Sequence, residues 1–98
     1  MKAYFVYMLR CFDGTFYVGM TSNIERRIAQ HHLGVFETCY TFNRRPVVLV
    51  HVSDFQWVDQ ATAAEKKLKS WSHRKKRAFA ESKWADVKRF ARGPSRQR

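Results

Sequence analysis

Several features that define whole classes of protein are missing from this 98-residue sequence. Its longest strongly apolar run, residues 47–52, is far shorter than the roughly 20 residues that cross a bilayer, so we expect no membrane span. The chain does not open with a basic segment and a long apolar stretch, which argues against a secretory signal. Two cysteines, Cys11 and Cys39, are too few for a disulfide framework and lack the CxxC spacing of a zinc site. We therefore expect a reducing compartment and no structural zinc.

Acidic residues are also scarce. The chain has 8 Asp and Glu against 19 Lys and Arg, a formal net charge of +11. Residues 1–64 have a net charge of +1, whereas residues 65–98 have +10. A polyanion is the expected partner, with DNA or RNA ahead of an anionic membrane, because the basic residues do not lie opposite one continuous apolar helix face. A solvated basic surface without a dedicated partner is the plain alternative.

Three segments rich in aromatic and β-branched residues predict strands, at residues 4–9, 15–20 and 47–53. Asp13-Gly14, between the first two segments, predicts a hairpin. The third segment is aliphatic for most of its length, which predicts a strand that is buried on both faces.

Helical spacing of apolar residues predicts helices in the rest of the chain. The segment from Ser22 to Glu25 is typical of a capping box that opens a first helix, which would end at Gly34. Asp59 is the predicted N-cap of a second helix, and Ser72 that of a short third helix. An apolar stripe predicts a fourth helix: Trp84, Val87 and Ala91.

These elements predict the fold class α/β (α+β), a three-stranded antiparallel sheet flanked by helices. The chain is long enough for one domain and too short for two. We expect that domain to cover residues 1–92, with a short basic tail at residues 93–98 that follows the helix-ending Gly93-Pro94 pair.

The two hairpin strands contain motifs that resemble those of a known family. Phe5-Val6-Tyr7 is followed after nine residues by Tyr17-Val18-Gly19, which resembles the paired motif of the GIY-YIG nuclease superfamily, although Phe and Val replace the name-giving Gly and Ile. Residues 24–31 are similar to the family helix that bears an arginine and a histidine. Residues 64–69 resemble the later helix whose glutamate binds a metal. The resemblance covers residues 3–80 and is greatest to small stand-alone bacterial members.

The resemblance implies a GIY-YIG-like domain with a catalytic set of five residues: Tyr7, Tyr17, Arg27, His31 and Glu65. It implies that one of the two tyrosines, left open here, accepts a proton from water. It also implies that Glu65 holds a divalent cation, Mg²⁺ or Mn²⁺; one carboxylate suffices for a hard cation that keeps waters and substrate phosphates. Packed core aromatics, a solvated arginine and a salt-bridged glutamate are the plain alternatives.

The residue types in this set suit phosphodiester hydrolysis. Arg27 can form two parallel hydrogen bonds to a phosphate. His31 follows four residues later on the same helix face, where it can orient a tyrosine, donate to phosphate or move a proton. Tyrosine is a poor base at its ordinary pKa of about 10 unless nearby cations lower that value.

A shared site also constrains the hairpin register. A two-residue Asp13-Gly14 loop would place Tyr7 and Tyr17 on opposite faces of the sheet. A three-residue loop over residues 12–14 pairs Tyr7 with Gly19 and places both phenols on one face. We predict the three-residue loop, or another loop of odd length.

Further basic side chains predict a nucleic-acid-binding surface that follows the phosphate backbone. They lie in the aromatic loop before the third strand and in the last third of the chain: Arg44, Arg45, Lys66, Lys69, Arg74, Lys75 and Lys76. Lys69 has Glu65, one helical turn away, as an alternative partner. The sequence contains no motif typical of reading base sequence.

The sequence therefore predicts a metal-dependent endonuclease that hydrolyses phosphodiester bonds in DNA, recognises structure more than sequence, and acts in DNA repair or recombination. The alternative is a non-catalytic nucleic-acid-binding module on a nuclease-derived scaffold. We expect a cytoplasmic, nucleoid-associated protein with nucleic acid, DNA first, as its partner and no membrane partner. The physiological substrate, a protein partner that supplies specificity, and the oligomeric state stay open.

Overall fold

The computed structural model describes the backbone of residues 3–91 and the side chains of residues 3–82. Within these residues, three strands and three helices follow one another: β1, Tyr4–Arg10; β2, Phe16–Thr21; α1, Ile24–Leu33; β3, Val48–Phe55; α2, Val58–Ser70; and α3, His73–Ala91. The strands form one antiparallel sheet in the order β2-β1-β3. The predicted fold class, a three-stranded antiparallel sheet flanked by helices, is confirmed.

The β1–β2 hairpin has the predicted register. Tyr7 pairs with Gly19, and Leu9 pairs with Tyr17. The loop is the three-residue type, and the N–H of Gly14 donates to the carbonyl of the residue before the loop at 2.9 Å. Gly14 has a φ of 86°, a left-handed conformation that glycine adopts without steric cost. Because side chains alternate along a strand, both tyrosines lie on the same face of the sheet.

A different layer of helices covers each face of the sheet. On one face, Val6 and Met8 of β1 pack against α2 and α3. On the other face, Tyr7 and Leu9 pack against the isoleucines of α1. All four of these β1 side chains are fully buried. The central strand therefore separates two small apolar clusters, and the tyrosine pair belongs to the one beneath α1.

β3 is an edge strand, and the prediction that it is buried on both faces is wrong. Val48 and Val52 are 41% and 43% exposed. The pairing of β3 changes register by one residue between Met8 and Leu9 of β1, as at a β-bulge. An aliphatic run is typical of a central strand, but β1 occupies the centre of this sheet.

Two of the three predicted helix caps are also wrong. α1 is capped by Asn23 rather than Ser22, because the Asn23 Oδ1 accepts a hydrogen bond at 3.1 Å from the backbone N–H three residues later. Asp59 lies inside the first turn of α2, which begins at Val58 without a side-chain cap. Ser72 does cap α3, with its Oγ accepting from the N–H three residues later at 3.1 Å.

The predicted third and fourth helices are one helix, α3, which continues to Ala91. The side chains of the predicted fourth stripe lie outside the described residues, as does the predicted tail at residues 93–98. The division into a domain over residues 1–92 and a tail stays a prediction. None of the described helices is both long and apolar enough to span a membrane.

Candidate active site

Four of the five predicted catalytic residues meet on the α1 face of the sheet. Tyr7 and Tyr17 reach this face from β1 and β2, and their ring centres are 6.2 Å apart. His31 comes from the last turn of α1, and its ring centre is 5.6 Å from that of Tyr7 and 5.3 Å from that of Tyr17. Arg27 lies one turn earlier on α1, and its positive charge favours ionisation of the Tyr7 phenol, against the larger effect of burial on the Tyr7 pKa.

Gly19 makes room for the Tyr7 ring. The two residues are opposite each other in the hairpin. A Cβ atom built on Gly19 would lie 2.5 Å from the Tyr7 hydroxyl oxygen and 2.6 Å from Cζ. Any larger residue would displace the phenol, so the glycine of the second triplet is required by the tyrosine of the first.

The shortest side-chain contact in the site joins Tyr7 to His31. The Tyr7 hydroxyl lies 2.8 Å from His31 Nε2 in a buried hydrogen bond. Burial, the Arg27 charge and His32 lower the pKa of His31 to about 4. The imidazole is therefore neutral at pH 7, with one nitrogen that donates and one that accepts.

Burial raises the pKa of both phenols. For Tyr7, the Arg27 guanidinium opposes the effect of burial but does not cancel it. For Tyr17, the neighbouring Tyr7 and Cys39 raise the pKa further. Neither phenol is ionised at neutral pH. A tyrosine in this site can take up a proton only if it gives up its own.

The Arg27 side chain is held at the margin of the site. Its Nη1 donates to the Met20 carbonyl at 3.5 Å, and its Cζ lies 5.4 Å from the Phe36 ring centre. A guanidinium has five N–H donors, so these contacts leave it capacity for a paired hydrogen bond to phosphate.

Glu65, the fifth predicted residue, lies on α2 in the opposite helical layer. Its carboxylate pairs with Lys69 at 3.2 Å, which is one of the two partners considered for that lysine. Its charge is among the causes that raise the pKa of Tyr7. The structure thus groups four of the residues closely and leaves Glu65 within electrostatic range of them.

The available metal donors suit a hydrated cation rather than an enclosed one. Across the described residues, no three His, Cys, Asp or Glu side chains converge on a metal position. The Glu65 side chain is 18% exposed, so water reaches its oxygens. Mg²⁺ is commonly bound by one or two carboxylates, several waters and substrate phosphates. Glu65 could supply one such carboxylate, and its role as a ligand of Mg²⁺ or Mn²⁺ stays a prediction.

Two predicted nucleic-acid contacts also brace the loop between α1 and β3. Arg44 pairs with Asp13 at 3.0 Å and lies over the Tyr40 ring, with Cζ 3.8 Å from its centre. Arg45 donates from Nε to the Phe42 carbonyl at 2.9 Å, and its Cζ lies 4.8 Å from the centre of the Phe42 ring. These contacts shape the loop, and a role of either arginine in binding stays a prediction.

The other predicted nucleic-acid contacts lie on α2 and α3: Lys66, Lys69, Arg74, Lys75 and Lys76. All except Lys76 are exposed. Lys75 covers the ring of Trp71, with Nζ 4.3 Å from the ring centre. Their binding role stays a prediction, and they belong to the helical layer on the face of the sheet opposite the tyrosine pair.

Two residues for which the sequence predicted no role extend the site. Thr41 is 1% exposed, and its Oγ1 lies 3.0 Å from His31 Nδ1 and 3.5 Å from Cys39 Sγ. Cys39 is also near Tyr17, whose pKa it raises in addition to the effect of burial. The loop from residue 35 to residue 45 has neither helical nor strand periodicity, so no pattern in the sequence indicated that it would reach His31.

Known proteins resemble this chain over most of its length. The GIY-YIG catalytic domain matches residues 3–78. A UPF0213 protein of Desulfotalea psychrophila is 39% identical over 80 residues, which cover 82% of this chain and 73% of that protein. A UPF0213 protein of Staphylococcus haemolyticus is 37% identical over 83 residues, which cover 85% of this chain and 100% of that protein.

Two solved structures share the arrangement of strands and helices. The solution NMR structure of a UPF0213 protein from Bacillus halodurans has a TM-score of 0.53 at 35% identity, over 81% of this chain and 83% of that one. The solution NMR structure of a protein from E. faecalis has a TM-score of 0.58 at 34% identity, over 84% of this chain and 86% of that one. With the catalytic-domain match spanning both triplets, α1 and α2, this chain belongs to the GIY-YIG nuclease superfamily, among its small UPF0213 members.

Proposed function

We propose that this protein is a metal-dependent endonuclease that hydrolyses phosphodiester bonds in DNA, recognises structure more than sequence, and acts in DNA repair or recombination. The main support is the 2.8 Å contact between the Tyr7 hydroxyl and Nε2 of His31. It joins a phenol to a neutral imidazole, and Arg27 lies one helical turn before that imidazole on α1. Phosphodiester hydrolysis needs these groups: a proton acceptor for water and a cation for phosphate.

Tyr7 is the better of the two candidate bases because His31 can take up its proton; its side chain is fully buried, so the proposal requires that substrate binding opens a path for water to its hydroxyl. Because its pKa is raised, the Tyr7 phenol is protonated at neutral pH and is not a phenolate before the reaction. It can accept the water proton while passing its own proton to His31 Nε2. The two ring nitrogens of His31 contact Tyr7 and Thr41, not the Tyr17 phenol. We assign Tyr17 to shaping the site beside the substrate.

In this proposal, Tyr7 and His31 accept protons, and Arg27 stabilises the negative charge on the phosphate. The water oxygen bonds to phosphorus as the bond to the leaving oxygen breaks, and the leaving oxygen takes a proton from solvent. The water proton passes to Tyr7, and the Tyr7 proton passes to His31. Arg27 donates to the phosphate oxygens where negative charge develops. A bound phosphate also offsets the Arg27 charge that lowers the His31 pKa, so His31 accepts the proton more readily with substrate present.

Glu65 would hold the divalent cation, Mg²⁺ or Mn²⁺. When bound, such a cation stabilises negative charge on the phosphate and on the leaving oxygen. Lys69, which is 3.2 Å from the Glu65 carboxylate, adds a positive charge in the same region.

DNA is the proposed partner because of the net charge of +11 and the exposed cationic side chains of α2 and α3. No base-reading motif is present in the part of the chain that the structure describes, so DNA shape or a protein partner would select the cleavage site. Selection by shape fits distorted or branched intermediates of repair and recombination. Such a role would place the protein in the cytoplasm, associated with the nucleoid.

A non-catalytic nucleic-acid-binding module is the second candidate. Its support is the position of Glu65 on the helical layer away from the tyrosine pair, where Lys69 already neutralises it. The two candidates make opposite predictions for the effect of Glu65 on cleavage.

The decisive test is a cleavage assay with purified wild type, Glu65→Gln and Glu81→Gln. The substrates are single-stranded, duplex, flapped and branched DNA and RNA, each with a titration of Mg²⁺ or Mn²⁺. We expect metal-dependent cleavage of flapped or branched DNA, and a loss of at least about 100-fold in Glu65→Gln, the size seen when one charge-stabilising group is removed. The exposed Glu81→Gln variant controls for the loss of a carboxylate and should cleave like wild type.

DNA affinity, measured in the same samples, separates the two candidates. Affinity should stay within about threefold of wild type in Glu65→Gln, because most of the cationic surface is unchanged. Cleavage by Glu65→Gln at the wild-type rate across the metal titration, or binding without cleavage of any substrate by wild type, would overturn the nuclease proposal in favour of the binding module.

A further inference from the structure

A buried hydrogen-bond chain continues from the Tyr7–His31 pair into the loop between α1 and β3. Thr41 Oγ1 lies 3.0 Å from His31 Nδ1, on the opposite side of the ring from Tyr7. Thr41 is 1% exposed and His31 is 2% exposed, so water does not replace this contact. The mechanism proposed above uses Nε2 of His31 and gives no role to Thr41.

The direction of the hydrogen bonds in this chain follows from Cys39. The Thr41 hydroxyl donates to Cys39 Sγ at 3.5 Å. A hydroxyl has one proton and two lone pairs. Because the Thr41 proton points to sulfur, its oxygen presents a lone pair to His31. The nitrogen that faces it, Nδ1, is therefore the one with the proton.

The tautomer decides whether His31 can take a proton from Tyr7. With the proton on Nδ1, Nε2 is bare and accepts the Tyr7 hydroxyl. With the proton on Nε2, that nitrogen would donate to the Tyr7 oxygen, and Tyr7 would have no acceptor for its own proton. With the proton on Nε2, the Thr41 hydroxyl would also have to turn from Cys39 Sγ to donate to Nδ1, and the buried Tyr7 hydroxyl would lose its acceptor, which is unfavourable.

We propose that Thr41 is a positioning residue that holds His31 in the Nδ1–H tautomer and so keeps Nε2 as the acceptor for the Tyr7 proton. The effect on catalysis rests on the proposed nuclease function, whereas the tautomer itself does not. Cys39 supports the arrangement by accepting the Thr41 proton.

The test compares wild type with Thr41→Val, Thr41→Ser and Thr38→Val. Valine has the shape of threonine without its hydroxyl, and serine keeps the hydroxyl. Thr38 lies in the same loop but is exposed, so Thr38→Val is the matched control. The first readout is the ¹⁵N chemical shift of the two His31 ring nitrogens in the metal-free protein at neutral pH, which distinguishes a protonated from a bare nitrogen.

We expect the Nδ1–H tautomer in wild type, Thr41→Ser and Thr38→Val, and a shift toward Nε2–H in Thr41→Val. In the cleavage assay, kcat of Thr41→Val should fall roughly 10- to 100-fold, the effect typical of losing an outer hydrogen-bond partner of a functional histidine. Its KM and DNA affinity should stay within about twofold of wild type, because Thr41 is buried away from the cationic surface, and Thr41→Ser should recover most of kcat.

An Nε2–H tautomer in wild type, or an unchanged Nδ1–H tautomer in Thr41→Val, would overturn the assignment of Thr41. So would wild-type kcat in Thr41→Val. The nitrogen shifts need no cleavage: if wild type binds DNA without cutting it, the nuclease proposal fails and these shifts still decide the role of Thr41.

Discussion

At the scale of single residues, the charge state of His31 determines what the candidate site can do. The ring is 2% exposed, and burial, the Arg27 guanidinium and His32 lower its pKa to about 4. A neutral ring accepts the Tyr7 hydroxyl at Nε2. A protonated ring cannot, because both of its nitrogens are donors. The buried position therefore keeps His31 neutral at pH 7, with a lone pair for the Tyr7 hydroxyl, while the lowered pKa makes the ring a weaker base until a bound phosphate offsets the Arg27 charge.

The same burial makes folding stability depend on pH. The unfolded chain binds a proton at this histidine below about pH 6.5, whereas folded His31 binds one only below about pH 4. Between these values the unfolded state holds more protons, so the free energy of unfolding should fall by about 3 kcal/mol from pH 7 to pH 4 on account of this ring. Urea unfolding of wild type and His31→Gln across this range measures the effect. The carboxylates contribute to the pH dependence of both proteins, so the difference between the two profiles is due to His31. Parallel pH profiles would contradict it.

The sequence predicts the position of some site residues and not of others. Tyr7 and Tyr17 could be placed on one face, because loop length sets the register of a hairpin and register sets the face. Arg27 and His31 could be placed on one side of a helix from their spacing. Thr41 could not be placed, because its loop has no periodicity and its path depends on contacts with the distant β1–β2 turn.

At the scale of elements, local patterns in the sequence predicted where the strands and helices lie. They did not predict which strands pair or at which residue a helix begins. Alternation and helical spacing depend on adjacent residues alone, which is why all three strands lie within two residues of the predicted bounds. Whether a strand is central depends on which strands pair on each side of it. The aliphatic β3 is at the edge because β1 pairs with both other strands. No short stretch of the sequence indicates which strand will pair on both sides.

The N-terminus of α1 allows a test of which of two adjacent residues caps the helix. Asn23 Oδ1 accepts from the backbone N–H at the third helical position at 3.1 Å, whereas Ser22, the cap predicted from the sequence, lies one residue earlier and is exposed. Asn23→Ala should lower the free energy of unfolding by about 1 kcal/mol, because it leaves that N–H without its cap. Ser22→Ala, the matched control, should change it by less than about 0.5 kcal/mol. Urea unfolding measures both, and a larger loss in Ser22→Ala would contradict the observed cap.

At the scale of the whole molecule, the cationic side chains and the tyrosine site lie in different layers. Residues 65–98 have a net charge of +10, and the described part of this segment forms the end of α2 and most of α3. Tyr7, Tyr17 and His31 lie beneath α1 on the other face of the sheet. If the cationic side chains of α3 bind the phosphate backbone while the tyrosine site and Glu65 perform the chemistry, affinity and turnover are separable by mutation.

Lys75 and Lys76 test this separation through the salt dependence of binding. Each phosphate contact on duplex DNA contributes a slope of about −0.9 to log K against log salt concentration. Replacing both lysines with glutamine should therefore make the slope shallower by up to about 1.8 and weaken binding to unrelated duplex sequences alike. The double replacement with arginine keeps both charges and should leave the slope unchanged. In the cleavage assay the glutamine variant should show a raised KM and an unchanged kcat. An unchanged salt slope, or a fall in kcat at saturating DNA, would show that α3 does not act as a separate binding layer.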